Sequence, residues 1–327
     1  MPRVLSAHLE EWKYTSPIRI TGHVFPSARV LVAEISENGA IGRGEASGVY
    51  FRNDTPDHAL DQVLACADAI REGAGRVKLN QILPPGGARN ALDCALWDLE
   101  CRLSGRDIWS LTGITPKPIL TLQTITMQDE PEDVGRMASA LRDAPMLKIK
   151  LNGDRPVERV RAARLARPDV RLMVDVNAGF DMQQLRDCAG WMGELGVELI
   201  EQPLPAGEDE ALEDFVSPVP LCADESCIDR QDLETVARRY QAINIKLDKT
   251  GGLTEALALA AGAKQRGLKL MVGNMSGTSL AVAPSYVIAM LCEVVDLDGP
   301  YSLVCDRAER MLYRDSIVSQ PEPRFWG

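Results

Sequence analysis

MLKIK (146–150), RLMVD (171–175), ELIE (198–201), VPLCAD (219–224) and AINIK (242–246) are five short apolar runs, each closing on a charged residue. The closing residues are Lys150, Asp175, Glu201, Asp224 and Lys246, at successive intervals of 25, 26, 23 and 22 residues. That interval is about the length of one strand, one helix and two short loops. A parallel βα repeat of this period puts all five side chains on one rim. In a closed βα barrel that rim carries the active site, because the loops that follow the strands converge there. Three carboxylates flanked by two lysines around one opening describe a metal site with a base on either side.

The chain has 327 residues, enough for a barrel of about 200–250 residues and a smaller domain. A formal charge of −11 without a lysine or arginine block argues against nucleic acid or an anionic membrane as partner. The eight cysteines contain no Cys-x-x-Cys pair and the start MPRVLSAHLEEW has no apolar signal core, so a reducing cytoplasm is expected. No apolar run is long enough to cross a bilayer. The only histidines are His8, His23 and His58, so the barrel segment offers neither imidazole metal ligands nor a histidine base. Oxygen ligands such as Asp175, Glu201 and Asp224 suit magnesium, with manganese as the alternative.

Ahead of the barrel, ARVLVAEISENGAIGRGEAS (28–47) predicts two strands joined at Asn38-Gly39. Gly42, Gly44 and Gly48 lack the spacing and the following helix of a dinucleotide loop. Helices are expected from Thr55-Pro56 onward and over ARNALDCALWDLECRLSG, ending at Gly105, with Leu92, Ala95, Leu96, Leu99 and Leu103 as one apolar stripe. Trp97 reads as packing. Eight strands follow, near ILTLQTIT, MLKIKLN, RLMVDVN, ELIEQ, PLCAD, AINIKL, LKLMVGN and EVVDLD. The helices between them start at Asp154, Asp181, Asp229 and Gly251-Gly252, and Gly196 and Gly267 mark helix ends. The fold expected is α/β: a modified (β/α)8-type, TIM-like barrel over 113–305 with an α+β N-terminal capping domain over 1–112, completed by 306–327.

Side chains alternate along a strand, so Lys148 shares a face with Lys150, Asp175 with Asn177, and Asp296 with Asp298. Such a ring supports proton abstraction beside a carboxylate. A divalent ion held by the three carboxylates stabilises the negative charge that develops. Lys148 adds a like charge that favours the neutral amine a lysine base needs. Lys150 on the second strand and Lys246 on the sixth approach the α-carbon from opposite sides, so one removes the proton and the other returns it on the opposite face.

ARNALDCALWDL (88–99), KIK (148–150), DVN (175–177), EQPLP (201–205), ADES (223–226), NIKLDKTGG (244–252) and DLDGP (296–300) resemble the enolase superfamily, in its muconate-lactonizing-type branch, and within it the dipeptide epimerases. The resemblance covers nearly the whole chain. It implies Asp175, Glu201 and Asp224 as magnesium ligands, Lys150 and Lys246 as the acid/base pair, and Lys148 as their electrostatic partner. It further implies that Asp296 and Asp298 bind the free ammonium of a dipeptide substrate, and it points to peptidoglycan peptide metabolism. Barrels of this type commonly assemble as homo-oligomers. Thr124, at the end of the first strand, is a further substrate-contact candidate, as is Asn177.

One departure concerns the substrate side chain. Family members acting on Ala-Glu carry an arginine in the loop between the first two cap strands; here, in RITGHVFPSAR, Gly22 stands at that place with Phe25 nearby. Arg19 and Arg29 remain close, and Arg29 reads as part of the following strand. Phe25, Tyr50 and Phe51 then favour a neutral or apolar side chain. The alternatives within the branch are o-succinylbenzoate synthase, N-succinylamino acid racemase and muconate cycloisomerase, which share the lysines and metal ligands. An acidic pair at 296 and 298 would repel a succinyl carboxylate.

Overall fold

Asn38 and Gly39 both adopt positive φ, 50° and 85°, as a two-residue hairpin turn requires. They join β2 (His23–Glu37) to β3 (Ala40–Ala46), with Glu37 opposite Ala40. On the other side of β2, β1 (Val4–Ile20) pairs antiparallel and closes at Ile20–His23 around Thr21-Gly22. The computed structural model describes residues 2–327. Helix Gly87–Ser104 lies across this sheet, and its approach explains the alternating glycines of β3. A Cβ at Gly42 would stand 2.1 Å from the Ala95 carbonyl oxygen, and one at Gly44 2.1 Å from that of Ala91. Leu92, Ala95, Leu96 and Leu99 are buried here. Leu103, expected on the same stripe, is 41% exposed, because it lies a turn beyond the Gly42 contact, toward the hairpin where β3 begins. Trp97 is packed, its Nε1 donating to Thr254 Oγ1 at 3.0 Å.

ILTLQTIT, expected as one strand, is two. β4 (Ile119–Leu120) turns away to pair antiparallel with Ile317–Val318, and only β5 (Gln123–Ile125) enters the barrel. Thr121 makes the break between them, donating its N–H to Ser316 O and accepting from Leu297 N at its Oγ1. From β5, the strands β6 (Met146–Lys150), β7 (Arg171–Asp175), β8 (Val197–Glu201), β9 (Leu221–Ala223), β10 (Ala242–Ile245), β11 (Lys269–Val272) and β12 (Val294–Val295) follow in chain order as one eight-stranded parallel sheet. The sheet curls until Leu122 N donates to Val295 O at 2.9 Å. Helices fill the outside, except between β8 and β9, where a 3-10 turn, Glu210–Asp214, makes the connection. Among the described residues, no helix is long and apolar enough to cross a membrane.

The helix starts follow side-chain capping. Thr55 caps Pro56–Ala65, and Asp181 forms a reciprocal box with Gln184. Asp229 caps the turn at Arg230, and Gly251, at φ 68°, precedes helix Leu253–Gln265. Asp154 does not cap its helix: Arg155 takes the cap position in a left-handed conformation, and the Asp154 carboxylate accepts from Arg159 instead. Inside the barrel, Leu122, Met146, Met173, Leu199, Cys222, Ala242 and Met271 fill the end below the charged rim, so a ligand reaches the rim from the cap side. The last residues return to the cap. Trp326 is fully buried and donates to Arg43 O, Gly327 N donates to Asp98 Oδ1, and Ile108 N donates to Gly327 O.

Candidate active site

Strand register brings Lys150 beside Asp175 and Asp175 beside Glu201 at the C-terminal ends of β6, β7 and β8. Asp224 follows β9 and Lys246 follows β10. Lys150 and Lys246 belong to strands four apart in an eight-stranded ring, so they face each other across its axis. The Lys148 ammonium, 1% exposed, lies 2.9 Å from Asp175 Oδ2, 2.8 Å from Glu201 Oε2 and 2.7 Å from Asp296 Oδ2. Lys150 Nζ donates to Asp175 Oδ2 at 2.6 Å and to Asn177 Oδ1 at 3.0 Å. Lys246 Nζ donates to Asp224 Oδ2 at 2.6 Å. The Thr124 N–H donates to Asp298 Oδ2 at 2.7 Å.

The charges are mutually dependent. Burial alone would raise Asp175 and Asp224, but Lys148 and Lys150 beside the first, and Lys246 and Lys249 beside the second, hold both below the usual carboxylate range. Glu201 is raised by burial and by Asp175, despite Lys148. Burial opposes the charge on Lys148 and Lys246, yet the carboxylates around them prevail and raise both. The Lys148 charge is therefore taken up by three carboxylates, and its first effect is to bind the ring together rather than to act on Lys150. Burial pushes Glu225 up to about 8 and Asp298 up to about 7, helped by Asp224 and Asp296 respectively.

Four supporting residues carried no sequence-based assignment. Lys249 is fully buried, with Nζ 2.6 Å from Asp224 Oδ1 and donating to the carbonyls of Asp224 and Asn244. Asn244 Nδ2 donates to Glu201 Oε1 at 2.7 Å. Gln202, at a left-handed φ of 35°, accepts the N–H groups of Asp224 and Ser226 at its Oε1. Glu225 accepts from Asn177 Nδ2 at 3.3 Å. Asn244 was within reach of sequence reasoning, because it stands two residues before Lys246 as Lys148 stands before Lys150.

The donor set fits a hard divalent cation. Glu201 Oε2 and Asp224 Oδ1 are buried without a hydrogen-bond partner, although the Lys148 and Lys249 ammoniums lie close to them. Six carboxyl groups (Asp175, Glu201, Asp224, Glu225, Asp296, Asp298) gather with four lysines (148, 150, 246, 249), and a dication would favour the ionised form of those that burial raises. Among the described residues no three such groups converge on one point as placed; the Lys148 ammonium lies between Asp175 and Glu201 instead.

A cavity of about 310 Å³ opens over this ring, walled by barrel and cap together. Lys148, Lys150, Lys246, Asn177, Asp296 and Asp298 line it, and so does Thr124. On the cap side Phe25 lines it and meets the Tyr50 ring edge-on, with centroids 5.6 Å apart. Gly22, expected at the substrate side chain, does not: it is the turn residue of the β1–β2 hairpin, at φ +74°, exposed and with nothing near its Cβ position.

The sequence matches two family descriptions, "Mandelate racemase / muconate lactonizing enzyme, N-terminal domain" over residues 5–113 and "Enolase C-terminal domain-like" over 133–306. It is 40% identical over 307 residues to L-Ala-D/L-Glu epimerase of Escherichia coli K12, covering 93% of this chain and 95% of that one. It is 42% identical over 281 residues to N-acetyl-D-glutamate racemase of a Pseudoalteromonas species, covering 85% and 89%. Among solved structures, an enolase family member from Agrobacterium tumefaciens with homology to dipeptide epimerases, with bound sodium and L-Ala-L-Glu, superposes with a TM-score of 0.97 at 38% identity over all of both chains. A Methylococcus capsulatus dipeptide epimerase complexed with Mg and L-Arg-D-Lys gives 0.87 at 27% identity over 98% of each. With both its halves matched, this chain belongs to the mandelate racemase and muconate lactonizing enzyme family of the enolase superfamily.

Proposed function

We propose that the protein is a magnesium-dependent dipeptide epimerase, inverting the α-carbon of the C-terminal residue by proton transfer between Lys150 and Lys246. The observation that carries this reading is the pair of lysines facing each other across one cavity whose wall also holds the Asp296–Asp298 pair. The solved relatives bound to dipeptides, one of them with Mg, support the substrate class and the cofactor.

Asp175, Glu201 and Asp224 would hold the magnesium ion, which when bound supplies the positive charge that stabilises an enediolate. Lys150 takes the α-proton of one epimer and Lys246 that of the other, each returning a proton to the face it lines. Asn177 Oδ1 aims the Lys150 ammonium, and Lys249 fixes Asp224, which in turn holds Lys246. Asp298 is steadied by the Thr124 N–H and, with Asp296, receives the substrate ammonium. The cap completes the cavity wall above the ring. We place the cap at 1–112 with 306–327 and the barrel at 113–305, and a cytoplasmic role in peptidoglycan peptide turnover accords with this chemistry.

An N-acylated amino acid has no ammonium and leaves the acidic pair without its cation. Incubation in heavy water with magnesium separates the two substrates by mass spectrometry. Free-amine dipeptides are expected to gain one deuterium at the C-terminal α-carbon, while N-acetyl and N-succinyl amino acids gain none. The opposite pattern refutes the assignment of Asp296 and Asp298.

A further inference from the structure

β2 alternates along its length, and the side chains it turns to the cavity are Phe25, Ser27 and Arg29. Ala28 and Val30, which flank Arg29 on the other face, are buried in packing. Apart from Lys148, Lys150 and Lys246, Arg29 is the only cationic side chain among the described residues of the cavity wall. It stands on the cap, whereas the acidic pair stands at the end of β12. Its guanidinium donates one hydrogen bond, from Nη2 to Asp57 Oδ1 at 2.6 Å, with side chains 53% and 57% exposed. An ion pair this exposed is weak, because water screens both charges, so Asp57 holds Arg29 loosely. The rest of its planar fork is available to a second carboxylate.

The neighbouring charges do not compete for it. Glu11, directly across the sheet from Arg29, accepts from Ser27 Oγ at 2.6 Å. Arg19, the other arginine of this hairpin, donates twice to Asp129 and does not line the cavity. Ile18, Ile20 and Phe25 add apolar surface to the same cavity.

We propose that Arg29 determines specificity for the side chain of the C-terminal residue and selects an acidic one. This replaces the neutral or apolar preference expected from Gly22 and Phe25, since the cation absent from the hairpin tip is supplied from within β2. The inference rests on the epimerase reading.

The test compares kcat/KM for α-deuterium incorporation into L-Ala-L-Glu and its isostere L-Ala-L-Gln, in the magnesium-loaded wild type and in Arg29→Gln, Arg29→Lys and Asp57→Asn. The wild type is expected to favour the glutamate dipeptide by about tenfold or more. Arg29→Gln brings the ratio near one, through the KM for L-Ala-L-Glu, while its turnover of L-Ala-L-Gln reports that the variant is folded. Arg29→Lys keeps part of the preference, and Asp57→Asn, which frees the guanidinium, raises it. A wild-type ratio near one, a preference for L-Ala-L-Leu over L-Ala-L-Glu, or an unchanged ratio in Arg29→Gln overturns the role of Arg29 and leaves the epimerase reading standing. No exchange by the wild type into any dipeptide overturns both.

Discussion

Replacing Lys249 by methionine removes a charge that touches no part of the cavity wall and is expected to weaken the fold itself. The ammonium is fully buried, 2.6 Å from Asp224 Oδ1, and it donates to the Asp224 carbonyl at 2.5 Å and to the Asn244 carbonyl at 2.9 Å. Methionine fills similar space, so the loss is electrostatic rather than steric. Breaking a buried pair on one side costs about 3–5 kcal/mol, because the other charge stays buried without its partner. Lys246 still holds Asp224 Oδ2, which places the expectation near the lower end of that range. With a urea slope of about 3 kcal/mol per molar, the unfolding midpoint of the metal-free protein falls by about 1 M. A cycle with Asp224→Asn separates the pair from general damage: the double variant should lose at least about 2 kcal/mol less than the sum of the singles. A midpoint shift under about 0.3 M, or strict additivity, refutes the reasoning, for then the Lys249 charge is not what holds Asp224.

Lys150→Ala and Lys246→Ala should each abolish exchange from one epimer, by about 10²–10⁴-fold, and from opposite epimers; chiral analysis of exchange starting from each epimer decides it, and equal losses from both epimers in both variants would sink the two-base arrangement. Asp248 is buried and pushed up to about 7, mainly by burial, while accepting the N–H groups of Ser47 and Gly48. Because its folded value lies above the unfolded one of about 3.9, its contribution is full below that value and is lost as pH rises through about 7. Asp248→Asn should therefore lose less stability than the wild type between pH 5 and pH 8 in urea titrations, and an identical loss contradicts this. Gly44→Ala places a Cβ against the Ala91 carbonyl and should lower Tm by about 5 °C or more, the helix being forced off the sheet; an unchanged Tm would mean that the contact yields freely.

The rim residues were legible in the sequence because two periodicities coincide there. The βα repeat sets the spacing of Lys150, Asp175, Glu201, Asp224 and Lys246, and strand alternation adds Lys148 to Lys150 and Asp296 to Asp298. Asn38-Gly39, Thr55 and Asp181 were legible because their signals are local. What escaped was set by distant chain. β4 leaves the barrel because its partner, Ile317–Val318, lies near the other end of the sequence. Arg29 reads as an ordinary strand residue, and only the placement of cap over barrel makes it part of the cavity wall. Lys249 looks like a solvated charge in a loop motif, whereas the short helix Leu247–Thr250 carries it into the interior. Asp154 carries the right residue type for a cap, yet the left-handed Arg155 takes the position instead.

The return of residues 325–327 to the cap bears on how the chain reaches its native state. Asp98 and Gly327 are 229 positions apart, and Arg43 and Trp326 are 283 apart. During synthesis the antiparallel sheet and helix Gly87–Ser104 emerge early, but the Asp98 carboxylate keeps an unfilled place until the barrel has been made. The cap is thus begun before the barrel and completed only after it, and the loops that later shape the cavity spend that interval on an incomplete support. Closing such long-range contacts is slow, and a chain cut short before Phe325 would leave the groove that receives Trp326 open to other apolar segments.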